Sequence, residues 1–316
     1  MEAVITSIVD AGDVRIFELR AADGAPLPPY AAGAHLDVTL GNSITRQYSL
    51  CCAAPCATSY RIAVKRDPRS RGGSQWLHAQ AVVGGTLTIG VPRNAFTLQP
   101  SAGTYLLFAG GIGITPVLSM AYELQRAGLP FHLAYFARST ADLAFAAELA
   151  TGPLAGSVTL VSGLTPDGNA ERIAAIMDAA PPTGASVYTC GPAPFMETVL
   201  TLGAARFGAH SVHQESFSAP AASAGAGAQP FILRLARSGR DIAVAAGVTA
   251  LASLQEAGID VDCSCEVGVC GTCRTAVIDG TPEHLDTVLS DAEKAANNCF
   301  MPCVSRSRTP VLCVDL

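Results

Sequence analysis

Four cysteines crowd into residues 263–273, CSCEVGVCGTC, in a chain of 316 residues with 11 cysteines in all. Cys265, Cys270 and Cys273 stand at C-x4-C-x2-C, and Cys303 follows in CFMPCVSRS. No other feature constrains the fold as tightly. If these sulfurs share one site, a tight loop and a distant segment must meet, and the residues between must hold them together. A disulfide staple, a zinc site, a redox-active thiol pair and a metal cluster all use cysteine at this density.

Composition narrows the setting. Apolar residues make up 49% of the chain and charged residues 15%, so an ordered protein of two or three domains is expected. The net charge of −6 provides no basic footprint, so no nucleic-acid partner is expected. The opening MEAVITSIVDAGD has acidic residues and no basic region ahead of an apolar core, so it does not read as a secretory signal. Residues 94–122 carry no charge and superficially resemble a membrane span. They include Gly103, Gly110, Gly111, Gly113, Pro100 and Pro116, however, and predict a buried strand, a glycine loop and a helix. A soluble, cytoplasmic protein with no membrane segment is the expectation. In a reducing compartment its cysteines should be free, metal-bound or catalytic rather than disulfide-bonded.

Texture divides the chain into three. Residues 1–101 give short apolar runs broken by turns (HLDVTL, RQYSL, YRIAVKR, GGTLTIG), the pattern of an antiparallel β-barrel. Residues 102–217 alternate strand-like with helix-like segments: TYLLFAG, PVLSMAYELQRAG, FHLAYFA, LAFAAELA, SVTLVSG, ERIAAIMDAA, SVYTCG and APFMETVLTLGAARFG. That alternation predicts βαβ units around a parallel sheet. Residues 218–229 contain only Ser, Ala, Pro, Gly and Gln and read as a linker. As a coil it would span on the order of 20 Å. Residues 230–316 hold a hairpin pattern, FILRLARSGRDIAVA, a short helix, ALASLQEAG, and the cysteine-rich loop.

The cysteine spacing is a general signature of a 2Fe-2S cluster. Two irons each take two thiolates, so one tight loop can supply three ligands and a distant strand the fourth. Gly268 and Gly271 let the loop fold closely, so that backbone N–H groups can point at the sulfurs. On spacing alone, a zinc site using Cys299 and Cys303 and a thioredoxin-like pair at Cys270 and Cys273 stay open. The segment resembles the 2Fe-2S domain of plant-type ferredoxins, an α+β β-grasp fold. That resemblance makes Cys265, Cys270, Cys273 and Cys303 the metal ligands. Cys263 and Cys299 fit no ligand position and read as small buried residues.

RQYSL, GGIGITP and CGP together resemble the ferredoxin–NADP reductase superfamily. The resemblance implies that Tyr48 packs on a flavin ring, Ser49 hydrogen-bonds near its reactive nitrogen and Arg46 meets its phosphate. RGGSQWLH reads as an anion cradle, with Gly72, Gly73 and Ser74 opening a helix toward the phosphate. The plainer alternative is an ordinary turn with Ser74 as N-cap. The chain then runs quickly to GVPRNAF, with no extra segment for an adenosine half, which favours FMN over FAD. Lys65 lies on the strand that in the relatives passes beside the ribityl chain.

LLFAGGIGITPVLSM sets a glycine loop between a strand and a helix, where backbone N–H groups can hold a dinucleotide pyrophosphate. Pro116 stands where the third glycine of G-x-G-x-x-G would be, in keeping with the GGxGxTP form of the reductases. Gly111 and Gly113 are the candidate nucleotide contacts. By the resemblance, Thr115 sits near the flavin–nicotinamide junction, and Cys190, Gly191 and Pro192 lie beside the nicotinamide. Cys190 shapes that site and is no nucleophile; a buried strand-end cysteine is the bland alternative. Phe217 resembles the aromatic residue that shields the flavin face, with Glu215 as a polar neighbour. Ser139 is a candidate for a ribose hydroxyl, while Arg138 beside it could hold a 2′-phosphate. The resemblance favours NADH over NADPH. The six histidines are scattered without ligand spacing, and no C-x-H pair supplies the histidines of a Rieske centre.

The order of these sections resembles the phthalate dioxygenase reductase family over essentially the whole chain. The resemblance implies a multidomain fold: an antiparallel β-barrel flavin domain, an α/β nucleotide-binding domain and a plant-type ferredoxin domain. It further implies that NADH is oxidised at FMN and that the 2Fe-2S cluster passes single electrons to a terminal Rieske oxygenase. Ser49, Thr115, Cys190 and Phe217 would then line the hydride-transfer site. A redox-sensing module with vestigial flavin domains and a stand-alone reductase serving another acceptor are the competing readings.

Overall fold

The alternating runs of the first hundred residues become a six-stranded antiparallel sheet in the computed structural model. That model describes the chain except residues 42–43, 54–57, 69–71, 102, 182, 218–228 and 264. The sheet comprises β1 (Glu2–Ala11), β2 (Val14–Ala21), β3 (His35–Thr39), β4 (Thr45–Ser49), β5 (Tyr60–Lys65) and β6 (Thr86–Ile89), with helix α1 (Gly73–Gln80) before β6. The strands lie in the order β4-β3-β6-β1-β2-β5. The sheet curls shut where Leu50 bridges Ile62 and the Cys51 N–H donates to the Arg61 carbonyl at 2.9 Å. Every second residue faces inward, so Phe17, Leu19, Leu36, Val38, Tyr60, Ile62 and Leu87 fill the interior with almost no exposure.

The next section is a parallel five-stranded sheet with helices on both faces. It contains β7 (Tyr105–Gly110), α2 (Ile114–Ala127), β8 (Phe131–Ala137), α3 (Ala146–Thr151), β9 (Val158–Ser162), α4 (Pro166–Ala179), β10 (Ser186–Cys190), α5 (Ala193–Phe207) and β11 (Val212–Glu215). Strand order is β11-β10-β7-β8-β9. Both faces are covered, which is why YLLFAG is an unbroken apolar run rather than an alternating one. Leu107, Ala109, Leu133 and Tyr135 point to one face, and Leu106, Phe108, Ala134 and Phe136 to the other. The first of these cores also takes in Val14, Ala32, Cys51, Ala63 and Phe96 from the barrel section. Barrel and sheet therefore form one compact unit, Met1–Ser216. The uncharged stretch 94–122 is strand, glycine turn and helix, and no helix among the described residues is long and apolar enough to cross a membrane.

The second unit is Phe217–Leu316. Of the expected linker, residues 218–228 lie outside the described residues. Beyond it come β12 (Phe231–Leu235), β13 (Asp241–Val244), α6 (Ala250–Glu256), β14 (Thr275–Asp279), β15 (Pro282–Glu283), α7 (Asp291–Ala296), β16 (Cys299–Phe300), β17 (Arg306–Ser307) and β18 (Val311–Val314). The larger sheet has the order β13-β12-β18-β14-β16, with β12 and β18 parallel and the β12–β13 hairpin at its edge. Leu251 and Leu254 of α6 are buried, Leu254 in the core with Phe231, Leu233, Phe300 and Leu312, and Leu251 among the cysteines. The predicted antiparallel barrel, parallel α/β sheet and C-terminal mixed sheet are the folds observed, the first two within one compact unit.

Candidate functional site

Glycine spacing decides the geometry at the nucleotide end. β7 ends at Gly110, a 3-10 turn covers Gly111–Gly113, and α2 starts at Ile114. A Cβ on Gly113 would stand 2.2 Å from the Cys190 carbonyl oxygen, and one on Gly191 would stand 2.9 Å from Gly110 Cα. These positions let the loop lie backbone to backbone against the end of β10. Gly111 differs: its φ is +55°, and open space lies where its Cβ would be. Of the two expected nucleotide contacts, Gly113 serves packing and Gly111 leaves room for a ligand to approach.

The same strand ends gather the polar groups. β10 and β11 pair Cys190 with Glu215 in parallel register. Ser49, buried at the end of β4, stands close enough to the Glu215 carboxyl to lower its pKa, so barrel and sheet meet here. Burial raises the Glu215 pKa to about 8, with the nearby Ser49 hydroxyl pulling the other way. Its Oε2 is buried and has no hydrogen-bond partner among the described residues. A carboxyl that is protonated at neutral pH and has one unengaged oxygen suits a site where a polar ligand edge completes the bonding. Burial and then Glu215 push the Cys190 thiol well up, so it stays neutral and is no nucleophile. The Thr115 hydroxyl donates to the Ile112 carbonyl at 3.0 Å and fastens the first turn of α2.

At the other end of β4, Arg46 lies across the start of α1: a Cβ on Gly73 would come 2.7 Å from Arg46 Cγ. Gly72 occupies the cap position in a left-handed conformation, φ 92°, and the first turn carries no acidic residue. A cationic side chain over a helix N-terminus that no side chain caps among the described residues fits a phosphate. Ser74 is not the N-cap; its hydroxyl accepts the Asp67 N–H at 3.1 Å. Tyr48 packs against the barrel core, and burial holds its phenol well above the usual range.

Other candidates have local partners. Lys65 pairs with Asp13 at 3.1 Å, and the Ser139 hydroxyl donates to Asp142 at 2.9 Å in a capping box. Pro192 caps α5. Phe217 is exposed and begins the second unit rather than closing the first. Arg71 lies outside the described residues. The sequence reading did not pick out Arg61, Tyr122 and Glu148, which meet between barrel and sheet. Arg61 and Glu148 are 87 positions apart, and no local pattern signals such a meeting.

The four predicted ligand cysteines converge in the second unit. Cys273 and Cys303 sulfurs lie 3.3 Å apart, and Cys265 is within hydrogen-bonding reach of Cys270 and Cys303. Thiolates sharing one tetrahedral metal are on the order of 3.8 Å apart, so two close sulfur pairs suit two irons. The Val267 N–H donates to Cys265 Sγ and the Thr272 N–H to Cys270 Sγ, each at 3.4 Å. Left-handed conformations at Glu266, Gly268 and Gly271 turn those N–H groups inward. Bonds from Cys270 and Cys303, then the Val267 and Val269 N–H groups, lower the Cys265 thiol. This donor set of sulfurs and backbone N–H groups fits an iron–sulfur cluster. Cys299 is buried beside Cys273, Leu289 and Met301, and Cys263 packs against that cluster, as expected of packing residues.

Comparison with known proteins agrees with this geometry. Residues 233–308 match the family described as 2Fe-2S iron-sulfur cluster binding domain. The chain is 45% identical over 310 residues to phenoxybenzoate dioxygenase subunit beta of Ectopseudomonas oleovorans, covering 97% of this chain and 94% of that one. It is 41% identical over 306 residues to vanillate O-demethylase oxidoreductase of Acinetobacter baylyi, covering 96% and 94%. A solved phthalate dioxygenase reductase, described as modular for electron transfer from pyridine nucleotides to 2Fe-2S, superposes with a TM-score of 0.77 at 38% identity, covering 100% of this chain and 98% of its own. Motif order, fold and identity along the full length lead to one conclusion: this chain belongs to the phthalate dioxygenase reductase family.

Proposed function

We propose that this chain is the reductase component of an aromatic ring-hydroxylating or O-demethylating oxygenase system, with a Rieske-type oxygenase as its partner. It takes hydride from NADH with FMN in the barrel and delivers single electrons through a 2Fe-2S cluster held by Cys265, Cys270, Cys273 and Cys303. When bound, the flavin accepts an electron pair as hydride and gives electrons up one at a time, and the cluster passes them on singly.

The observation that carries this reading is the meeting of Ser49, Cys190 and Glu215 where barrel and parallel sheet share a core. Arg46 and the bare start of α1 hold the flavin phosphate. Gly111 and the start of α2 admit the nucleotide pyrophosphate. Ser49 donates or accepts at the ring edge, and the free Glu215 oxygen can donate to the bound pair while it remains protonated. The neutral Cys190 fills space beside the nicotinamide without offering a competing thiolate.

Purified protein should show flavin bands superimposed on the broad visible absorbance of a 2Fe-2S centre, both bleached by NADH without air. A flavin spectrum with iron absent after anaerobic purification would sink the reading.

A further inference from the structure

We infer that Arg61, Glu148 and Tyr122 form a positioning clamp that sets the gap between the nicotinamide on the sheet and the flavin in the barrel. This deepens the function proposed above and rests on it. Arg61 on β5 grips Glu148 on α3 with both ends of its fork, Nη1 to Oε2 at 2.9 Å and Nη2 to Oε1 at 2.8 Å. The same Nη2 donates to the Cys51 carbonyl at 2.7 Å. Cys51 stands two residues beyond Ser49, so the grip acts on the end of β4. The Tyr122 hydroxyl donates to Glu148 Oε1. Tyr122 lies on α2 two turns beyond Thr115, on the helix that the glycine loop opens. The guanidinium also lies 5.4 Å over the Phe145 ring.

The ion pair thus ties together α3, β5, α2 and, through the Cys51 carbonyl, the chain just beyond β4; α2 and the end of β4 each carry a wall of the hydride site. The pair is a planar, bidentate one with side chains only 25% and 29% exposed, unlike a loose surface ion pair. The barrel is joined to α2 separately: the Gly33 N–H donates to Ser119 Oγ and the Ala32 N–H to Glu123 Oε2, each at 3.0 Å. Cutting the clamp should therefore leave the unit folded while loosening the end of β4 against α2. Hydride transfer is sensitive to such slack, since about 1 Å of misplacement can slow a reaction on the order of 100-fold.

The test uses the intact holoenzyme with NADH and ferricyanide, an acceptor that flavin can reduce without the cluster. Glu148→Gln should lower kcat about tenfold while changing the NADH KM less than about twofold. The isotope effect with NADH deuterated at the transferred hydrogen should rise, because hydride transfer becomes slower relative to the other steps. Tyr122→Phe should move both in the same direction by about twofold to threefold. Arg61→Met combined with Glu148→Gln should be no worse than either alone, as expected of groups acting as one. A Glu148→Gln protein that melts earlier but keeps its kcat and isotope effect would overturn the clamp and leave an ordinary structural pair. If Glu148→Gln fails to fold, an unchanged isotope effect in Tyr122→Phe overturns it equally. Wild-type holoenzyme that fails to reduce ferricyanide with NADH would overturn the proposed function itself, a different result from either.

Discussion

The two sites of this chain are built in opposite ways. In Phe217–Leu316, one loop and one further cysteine supply every sulfur, and Cys265 and Cys270 are only partly buried. In Met1–Ser216, the proposed hydride site is assembled from the ends of β4, β7, β10, β11 and α2; Ser49, Thr115 and Cys190 are buried there, and Glu215 is half-buried with its Oε2 enclosed. Chemistry accounts for the difference. Hydride needs two rings in contact with water excluded, so distant strand ends must close on one another. A cluster that hands electrons outward needs only its ligands fixed and one edge near the surface.

The sharpest way to break this comparison is to disable the sulfur site alone. Cys270→Ser should leave NADH-dependent ferricyanide reduction largely intact. Cytochrome c or oxygenase reduction should fall at least about 100-fold, beyond the usual effect of losing an outer partner of a metal ligand. Equal loss with both acceptors would show that the two sites do not work in series.

A smaller effect probes the hydride site. Gly113→Ala drives a methyl into the Cys190 carbonyl, and the overpacking should cost about 1–3 kcal/mol and visibly lower the melting temperature of the first unit. Gly111→Ala meets no neighbour and should cost only about 1 kcal/mol, from its left-handed φ. If both glycines tolerate alanine equally in thermal melts, the backbone contact between loop and β10 is not what the glycines are for.

A last test is a pH dependence. Glu215 has its pKa raised from 4.5 to about 8, so the folded chain keeps a proton that the unfolded chain releases. Its contribution to stability is fully present below pH 4.5 and declines as pH rises toward 8. Glu215→Gln should remove that decline. Melting curves for the two proteins across this range should therefore diverge toward alkaline pH, the variant being the more stable there. Parallel curves would mean that Glu215 titrates normally and is not deeply buried.

Much of the fold was legible because local patterns carried it. FHLAYFA and APFMETVLTLGAARFG match β8 and α5 closely, and Gly128 ends α2 in a left-handed cap as its position predicts. Departures have local physical causes. The sequence predicts a helix over LAFAAELA, yet α3 begins only at Ala146, because Leu143 and Phe145 turn into the core and the Ala144 N–H donates to the Tyr135 hydroxyl at 3.3 Å. Conversely, α4 begins at Pro166, ahead of ERIAAIMDAA, since Thr165 caps it by accepting the Gly168 N–H at 3.2 Å.

By itself, the sequence, through spacing and resemblance, singled out the proposed cluster ligands and the order of the three sections, because a cysteine loop, a glycine turn and a run of strands are short-range features. Only the tertiary structure decided that Gly113 packs while Gly111 stays open, that Ser74 serves the loop at Asp67, and that one Glu215 oxygen is enclosed with Ser49 nearby. The same holds for the clamp, whose arginine and glutamate have no local relation. Such facts depend on which distant backbones come within a few ångströms, and on how much water is left between them.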